Sequence, residues 1–316
     1  MSGMAGNTHT VAAARSASAR SSRNLRPSSG EDALEAREPK QNRWAIILAG
    51  GEGRCVADLS SRIADQNTPK QFRRMMDNQS LVENTRQSVE LAIPKDRILY
   101  TLNRRHERYY VPLLFDVLLA RLVVQPESRG TAPAILYALM RLGLADPNAN
   151  VALFPCGQRF SDDQLFMRRI QAAFDVIDER PEHIVVLGVA PSTAEPGYRW
   201  IEPASPFLCK GETLFHVRRF IEEPPIEVAR RMYMQGRFLW NSLVLVARLP
   251  NLLAMVIRAL PELYDLFAEF SGTFGTEFER EAAERIYRTI RPLDFCKSVL
   301  STHARDQISV LPVSGP

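Results

Sequence analysis

Apolar residues along this chain gather in short unbroken runs, separated by stretches where apolar and polar positions alternate at helical spacing. The first run, Trp44 to Leu48, breaks into Gly50, Gly51 and Gly53, the pattern of a buried strand delivering a flexible turn at its carboxyl end. Helical spacing follows over Ser80 to Leu91, then a second strand over Arg97 to Leu102. A longer amphipathic helix is predicted over His106 to Leu119, a short strand over Leu122 to Gln125 and a helix over Thr131 to Leu144. Asn150 to Pro155 and His183 to Val189 are further apolar runs, with a helix from Gln164 to Ile177 between them. Such alternation predicts a parallel sheet with right-handed crossovers through at least four strands. Beyond Pro191 the texture changes. Tyr198 to Pro203, Leu214 to Glu222 and Leu239 to Val246 read as strands with polar interruptions, as in a mixed sheet lining a cleft. Helical patterns over Pro250 to Phe270, with a break expected at Pro261, and over Glu277 to Thr289 precede a last strand, Ile308 to Val313. No internal repeat is visible.

Composition sharpens the boundaries of this pattern. The 316 residues are 45% hydrophobic and 24% charged, which suits a well-cored α/β protein. Residues 1–43 differ from the rest: rich in Ser, Ala and Arg, poor in large apolar side chains, with seven basic and four acidic residues. That composition predicts a disordered tail, although the acid-free first thirty residues also suit an organelle transit peptide. The folded part is then expected over 44–316, in two halves, 44–190 and 191–316, divided where the texture changes. No window reaches membrane-spanning length. A net charge of +4 spread over this length is no nucleic-acid footprint, and phosphate substrates would account for it. Cys55, Cys156, Cys209 and Cys296 lie far apart, without zinc-type spacing, so a reducing cytoplasm is the expected location.

The candidate chemistry begins at the glycine turn. Glycines there leave backbone N–H groups unshielded and able to converge on an anion, at the sheet edge where open parallel sheets place their ligands. A glycine turn between strand and helix is equally ordinary loop chemistry. The second element is Pro69-Lys70-Gln71-Phe72, a lysine behind a proline that could reach back toward the same phosphates. With Gln125 to Ile135 (QPESRGTAPAI), these segments resemble sugar nucleotidyltransferases, and within them the mannose-1-phosphate guanylyltransferases, over roughly Trp44 to Gly315.

The resemblance implies a Rossmann-like, doubly wound nucleotidyltransferase fold, a mainly parallel sheet with a mixed-sheet sugar-binding part. It implies attack of mannose-1-phosphate on the α-phosphorus of GTP, with Mg²⁺ and release of pyrophosphate. Such a reaction depends on positioning and charge neutralisation. By the same resemblance, Leu48, Ala49, Gly50, Gly51, Gly53, Gln125, Pro126, Gly130, Thr131 and Ala132 would hold the nucleotide. Gly197, Tyr198, Glu202, Glu222 and Asn241 would hold the sugar, Lys70 would hold phosphate, and Asp294 in Pro292-Leu293-Asp294-Phe295 would bind metal. A homo-oligomeric assembly is compatible with such an enzyme.

The chain departs from that pattern at the chemical positions. Cys55 stands where the leaving-group arginine is expected and Asp58 where a proline is, with Arg54 one residue early as its candidate substitute. Gly157 stands in place of a metal-binding aspartate, and glycine cannot ligate a cation. Asp162 and Asp163 read instead as the solvated start of the next helix. Glu223 replaces the lysine of an FxEKP-like segment, and Arg199 replaces the glycine after Tyr198. Catalysis is therefore expected to be impaired. The alternative is an inactive relative that binds nucleotide or a partner.

Overall fold

Strand β1 (Arg43–Leu48) is apolar throughout its centre because both of its faces are covered. Trp44 and Ile46 enter one buried layer and Ala45 and Ile47 the other, as expected of a strand inside a parallel sheet. The computed structural model describes residues 42–51, 68–74, 78–156, 162–303 and 307–313. The expected N-terminal tail and the positions of Gly53, Arg54, Cys55, Asp58 and Gly157 lie outside the described residues.

Around β1 a nine-stranded sheet forms in the order β3-β2-β1-β4-β8-β5-β9-β7-β6. The further strands are β2 (Ile98–Asn103), β3 (Leu122–Gln125), β4 (Asn150–Pro155), β5 (Ile184–Val189), β6 (Trp200–Cys209), β7 (Glu212–Ile221), β8 (Leu239–Arg248) and β9 (Ile308–Val313). The first four form the parallel group that the alternation predicts. The next neighbour of β4 is antiparallel β8, which inserts between β4 and β5. The second half of the chain therefore shares one sheet with the first. β6 and β7 form a hairpin closed by Lys210 and Gly211, both at positive φ, the geometry of a tight turn matched to strand twist.

Helices cover both faces. On one lie α3 (Thr131–Ala145), α6 (Leu249–Ala259), α7 (Pro261–Glu269) and α8 (Glu279–Thr289), packed with Phe295 and Val299. On the other lie α1 (Leu81–Glu90), the short α2 (Glu107–Tyr110), α4 (Asp163–Glu179) and α5 (Ile226–Gln235). The break between α6 and α7 falls at Pro261, as its missing N–H requires. Asp162 caps α4, accepting the Leu165 N–H at 2.9 Å, so this acid has the helix-start role expected of it.

One predicted element is corrected. The helix expected over His106 to Leu119 stops at Tyr110. Pro112 supplies no N–H to continue the ladder, and the chain goes on in turns to an extended Leu118. The apolar residues that suggest an amphipathic helix are split, Leu114 buried and Phe115 and Leu119 exposed. Among the described residues, no helix is long and apolar enough to cross a membrane.

Candidate functional site

At the carboxyl end of β1 the chain turns through Leu48, Ala49, Gly50 and Gly51. The Ala49 N–H donates to the Thr101 carbonyl at 3.0 Å, tying the turn to β2. From the other side Gln71 clamps it, with Nε2 donating to the carbonyls of Ala49 and Gly51, both at 2.9 Å. Gln71 is buried, and its neighbour Phe72 packs against the rings of His106 and Tyr109. The short turn Lys70–Phe72 thus has separate parts: Phe72 anchors, Gln71 shapes the glycine turn, and the Lys70 charge acts on Cys156 just past the end of β4. There burial pushes the Cys156 thiol up to about 12, while a hydrogen bond to Thr85 and the Lys70 charge pull the other way. Gln71 escapes a reading of the sequence alone. A glutamine next to a buried aromatic, one residue from the lysine, is its available signal.

The turn meets the third motif directly. A Cβ on Gly50 would lie 2.4 Å from Gln125 Nε2, so the bare glycine is what lets the turn and Gln125 approach here. Gln125 is buried and accepts the Tyr287 hydroxyl at 3.1 Å. Beyond Pro126 the chain reaches Gly130, at φ +87°, and starts α3. The first turn of α3 is closed by the distant segment 293–295. Ala132 N–H donates to the Leu293 carbonyl at 3.1 Å, and the Phe295 N–H donates to Thr131 Oγ1 at 2.7 Å. The Thr131 hydroxyl in turn donates to Asp294 Oδ2 at 3.4 Å. Thr131 and Ala132 therefore hold Asp294 beside the start of α3.

Beside Asp294 lies a residue that sequence reasoning does not count as functional. Arg199 donates through Nη2 to Asp294 Oδ2 at 2.7 Å and through Nε to Glu222 Oε2 at 2.6 Å. Burial opposes the Arg199 charge, but the neighbouring Cys296, Asp294 and Glu222 outweigh it and raise its pKa above the ordinary arginine range. Burial likewise raises the Glu222 carboxyl, against the pull of Arg199. Its second oxygen, Oε1, is buried with no hydrogen-bond partner among the described residues. Asn241 lies close by, donating through Nδ2 to Cys296 Sγ at 3.5 Å while its Oδ1 accepts the Leu243 N–H.

The other predicted sugar residues are placed apart from this group. The Gly197 N–H donates to Glu195 Oε1, and Tyr198 stacks on Trp240 with ring centroids 4.4 Å apart. Trp240 and Trp200 belong to the opposite layer. Glu202 shares the Trp200 face, since side chains alternate along a strand. It is buried, and Arg219 at 2.7 Å, Arg237 at 3.1 Å and Arg218 at 3.6 Å already surround its carboxylate. Glu223 is exposed, at φ +37°.

Of the magnesium site implied by the resemblance, the described residues include Asp294, while the position of Gly157 lies outside them. No group of three His, Cys, Asp or Glu side chains converges among them. Asp294 spends Oδ2 on Arg199 and Thr131 and Oδ1 on the Lys297 N–H at 3.0 Å. A divalent ion takes several oxygen ligands, and the carboxylate offered here is already engaged by a guanidinium.

A mixed sheet whose carboxyl edge joins a glycine turn, a lysine motif and a helix start describes a nucleotide-transfer fold. The chain belongs to the nucleotidyl transferase family, whose model matches residues 44–271. It is similar to the mannose-1-phosphate guanylyltransferase of Klebsiella pneumoniae, 25% identical over 70% of this chain and 46% of that protein. It is also similar to the alginate biosynthesis protein AlgA of Pseudomonas syringae pv. tomato, 28% identical over 75% of this chain and 49% of that protein. The chain spans about half the length of the curated relatives it matches. Its fold superposes on the crystal structure of mannose-1-phosphate geranyltransferase from Thermus thermophilus with a TM-score of 0.72, at 20% identity, over 87% of this chain and 75% of that one.

Proposed function

We propose that this chain binds a nucleoside triphosphate, GTP, and a hexose-1-phosphate, mannose-1-phosphate, and that its guanylyl transfer between them is impaired. The observation that carries the reading is the close approach of Gly50 to Gln125, together with the contacts that join the Gly130 helix start to Asp294 and, through Arg199, Asp294 to Glu222. A nucleotide bound along these contacts would place its phosphates at the Ala49–Gly51 turn, within reach of Lys70, and its base toward Gln125 and Gly130. The orphaned Glu222 Oε1 is an acceptor that a sugar hydroxyl would satisfy.

In-line displacement at phosphorus is driven by charges aimed at the leaving and attacking oxygens. Here those charges are depleted. Cys55, Gly157 and Glu223 occupy positions where the resemblance expects an arginine, an aspartate and a lysine. A carboxylate in place of that lysine repels a sugar phosphate, unless it faces solvent as Glu223 does. The second reading, a relative that binds nucleotide or a partner without turnover, is favoured by the Arg199 bridge, which uses both carboxylates at the sugar end.

One experiment separates these readings: pyrophosphate release with GTP, mannose-1-phosphate and Mg²⁺, beside calorimetric titration of GTP. Binding with turnover far below the ordinary range of about 1–10³ s⁻¹ is expected. Turnover within that range would overturn the impairment, and absence of GTP binding would overturn the nucleotide assignment.

A further inference from the structure

We propose that Arg199 is an internal cation that takes the place of a divalent ion between Asp294 and Glu222, making this pair of carboxylates refuse metal. Three separate segments contribute: Arg199 precedes β6, Glu222 follows β7, and Asp294 lies between α8 and the helical turn Cys296–Leu300. Their charged atoms meet at 2.6 and 2.7 Å, with each of the three side chains largely shielded, between 21% and 33% exposed.

Charge and shape both argue for substitution. Two carboxylates converging in a partly dry pocket repel each other unless a cation lies between them. A planar guanidinium supplies that cation through separate N–H groups, one aimed at each carboxylate. Once it is there, an incoming divalent ion meets a like charge and finds one oxygen of each carboxylate, Asp294 Oδ2 and Glu222 Oε2, already bonded to the guanidinium.

The bridge is held from behind as well. The Arg199 carbonyl accepts the Asn241 N–H at 2.8 Å, fixing the root of the side chain on β8. Asp294 is fixed by the Lys297 N–H on Oδ1, and its own carbonyl accepts the Ser298 N–H at 2.9 Å. A flexible surface pair would lack these backbone anchors. Arg199 is thus a positioning residue that neutralises the sugar end of the cleft without a dissociable ion.

The inference rests on reading Asp294 as part of the substrate cleft, but its test uses metal alone, so it fails separately from guanylyl transfer. Mn²⁺ suits the same oxygen ligands as Mg²⁺ and is followed by electron paramagnetic resonance of the free ion. The full chain, without nucleotide, is titrated with Mn²⁺ alongside Asp294→Asn, Arg199→Gly and Arg199→Gln. Wild type should show no Mn²⁺ binding that Asp294→Asn removes. Arg199→Gly and Arg199→Gln should each gain binding tighter by about tenfold or more, lost again when Asp294→Asn is added. Wild-type binding that depends on Asp294 would overturn the proposal whether or not the Arg199 variants fold. So would a folded Arg199→Gln, verified by circular dichroism, that binds Mn²⁺ no better than wild type.

Discussion

Gly50 and Gly130 both look like phosphate-turn glycines, yet they are required for different reasons and should tolerate substitution differently. A Cβ on Gly50 meets first the amide end of Gln125, a side chain that can shift, and less closely the Leu102 main chain at 3.2 Å. A Cβ on Gly130 meets the Leu293 carbonyl oxygen at 2.2 Å, and its φ of +87° is strained for any other residue. Backbone cannot step aside as a side chain can. Gly130→Ala should therefore destabilise the fold by about 1–3 kcal/mol or more. Gly50→Ala should cost clearly less, both measured by urea denaturation with unchanged m-value. Equal losses would show that Gln125 is as immovable as the main chain. This contrast marks where the sequence stops being legible. The QPESRGTAPAI run announces Gly130, but nothing in its spacing points to Leu293, which lies far along the chain. Arg199 is similar: its replacement of a glycine is visible in the sequence, while its partners Glu222 and Asp294 become neighbours only through the fold.

At the scale of elements, local signals suffice wherever the physics is local. Ser80 accepts the Glu83 N–H at 3.3 Å, and the Glu83 carboxylate accepts the Ser80 N–H at 2.8 Å, a reciprocal cap that starts α1 one residue inside the predicted span. Ser80→Ala should cost about 1 kcal/mol, seen as a lower urea midpoint. A neutral result would mean that the buried Leu81 and Val82 alone hold this turn. The runs at Leu122–Gln125, Asn150–Pro155 and Ile308–Val313 are strands with the expected bounds because their apolar continuity reflects packing on both faces. The segment after Tyr110 misleads because its apolar residues recur at helical spacing, and Pro112 outweighs that periodicity. The position of β8 between β4 and β5 is not legible either. Periodicity identifies a strand but carries no information about which neighbours it takes.

Across the whole molecule, the insertion of β8 makes the two halves of the chain parts of one sheet, so the proposed nucleotide and sugar ends would share one scaffold. The glycine turn and Gln125 belong to the parallel group, whereas Arg199, Glu222 and Asn241 hang from β6, β7 and β8. The departures from the family pattern are expected to act on one ligand: Cys55 and Gly157 near the phosphates, Glu223 and Arg199 near the sugar. Groups that share a ligand do not contribute additively. Restoring Cys55→Arg, Gly157→Asp and Glu223→Lys supplies a carboxylate for metal, but leaves Asp294 paired to the Arg199 guanidinium. A second metal ligand would still be missing. The triple variant should therefore release pyrophosphate little faster than wild type, and adding Arg199→Gly should raise the rate by about 10²-fold, the usual worth of one preorganised charge contact. The gain should also acquire a Mg²⁺ dependence that the triple variant lacks. If the triple variant alone reaches the rate of the quadruple one, Arg199 does not block the metal, and the depleted phosphate end was the whole defect. If neither turns over although both bind GTP, the charges missing from this cleft come from outside the residues compared, and the binding-only reading becomes the better one.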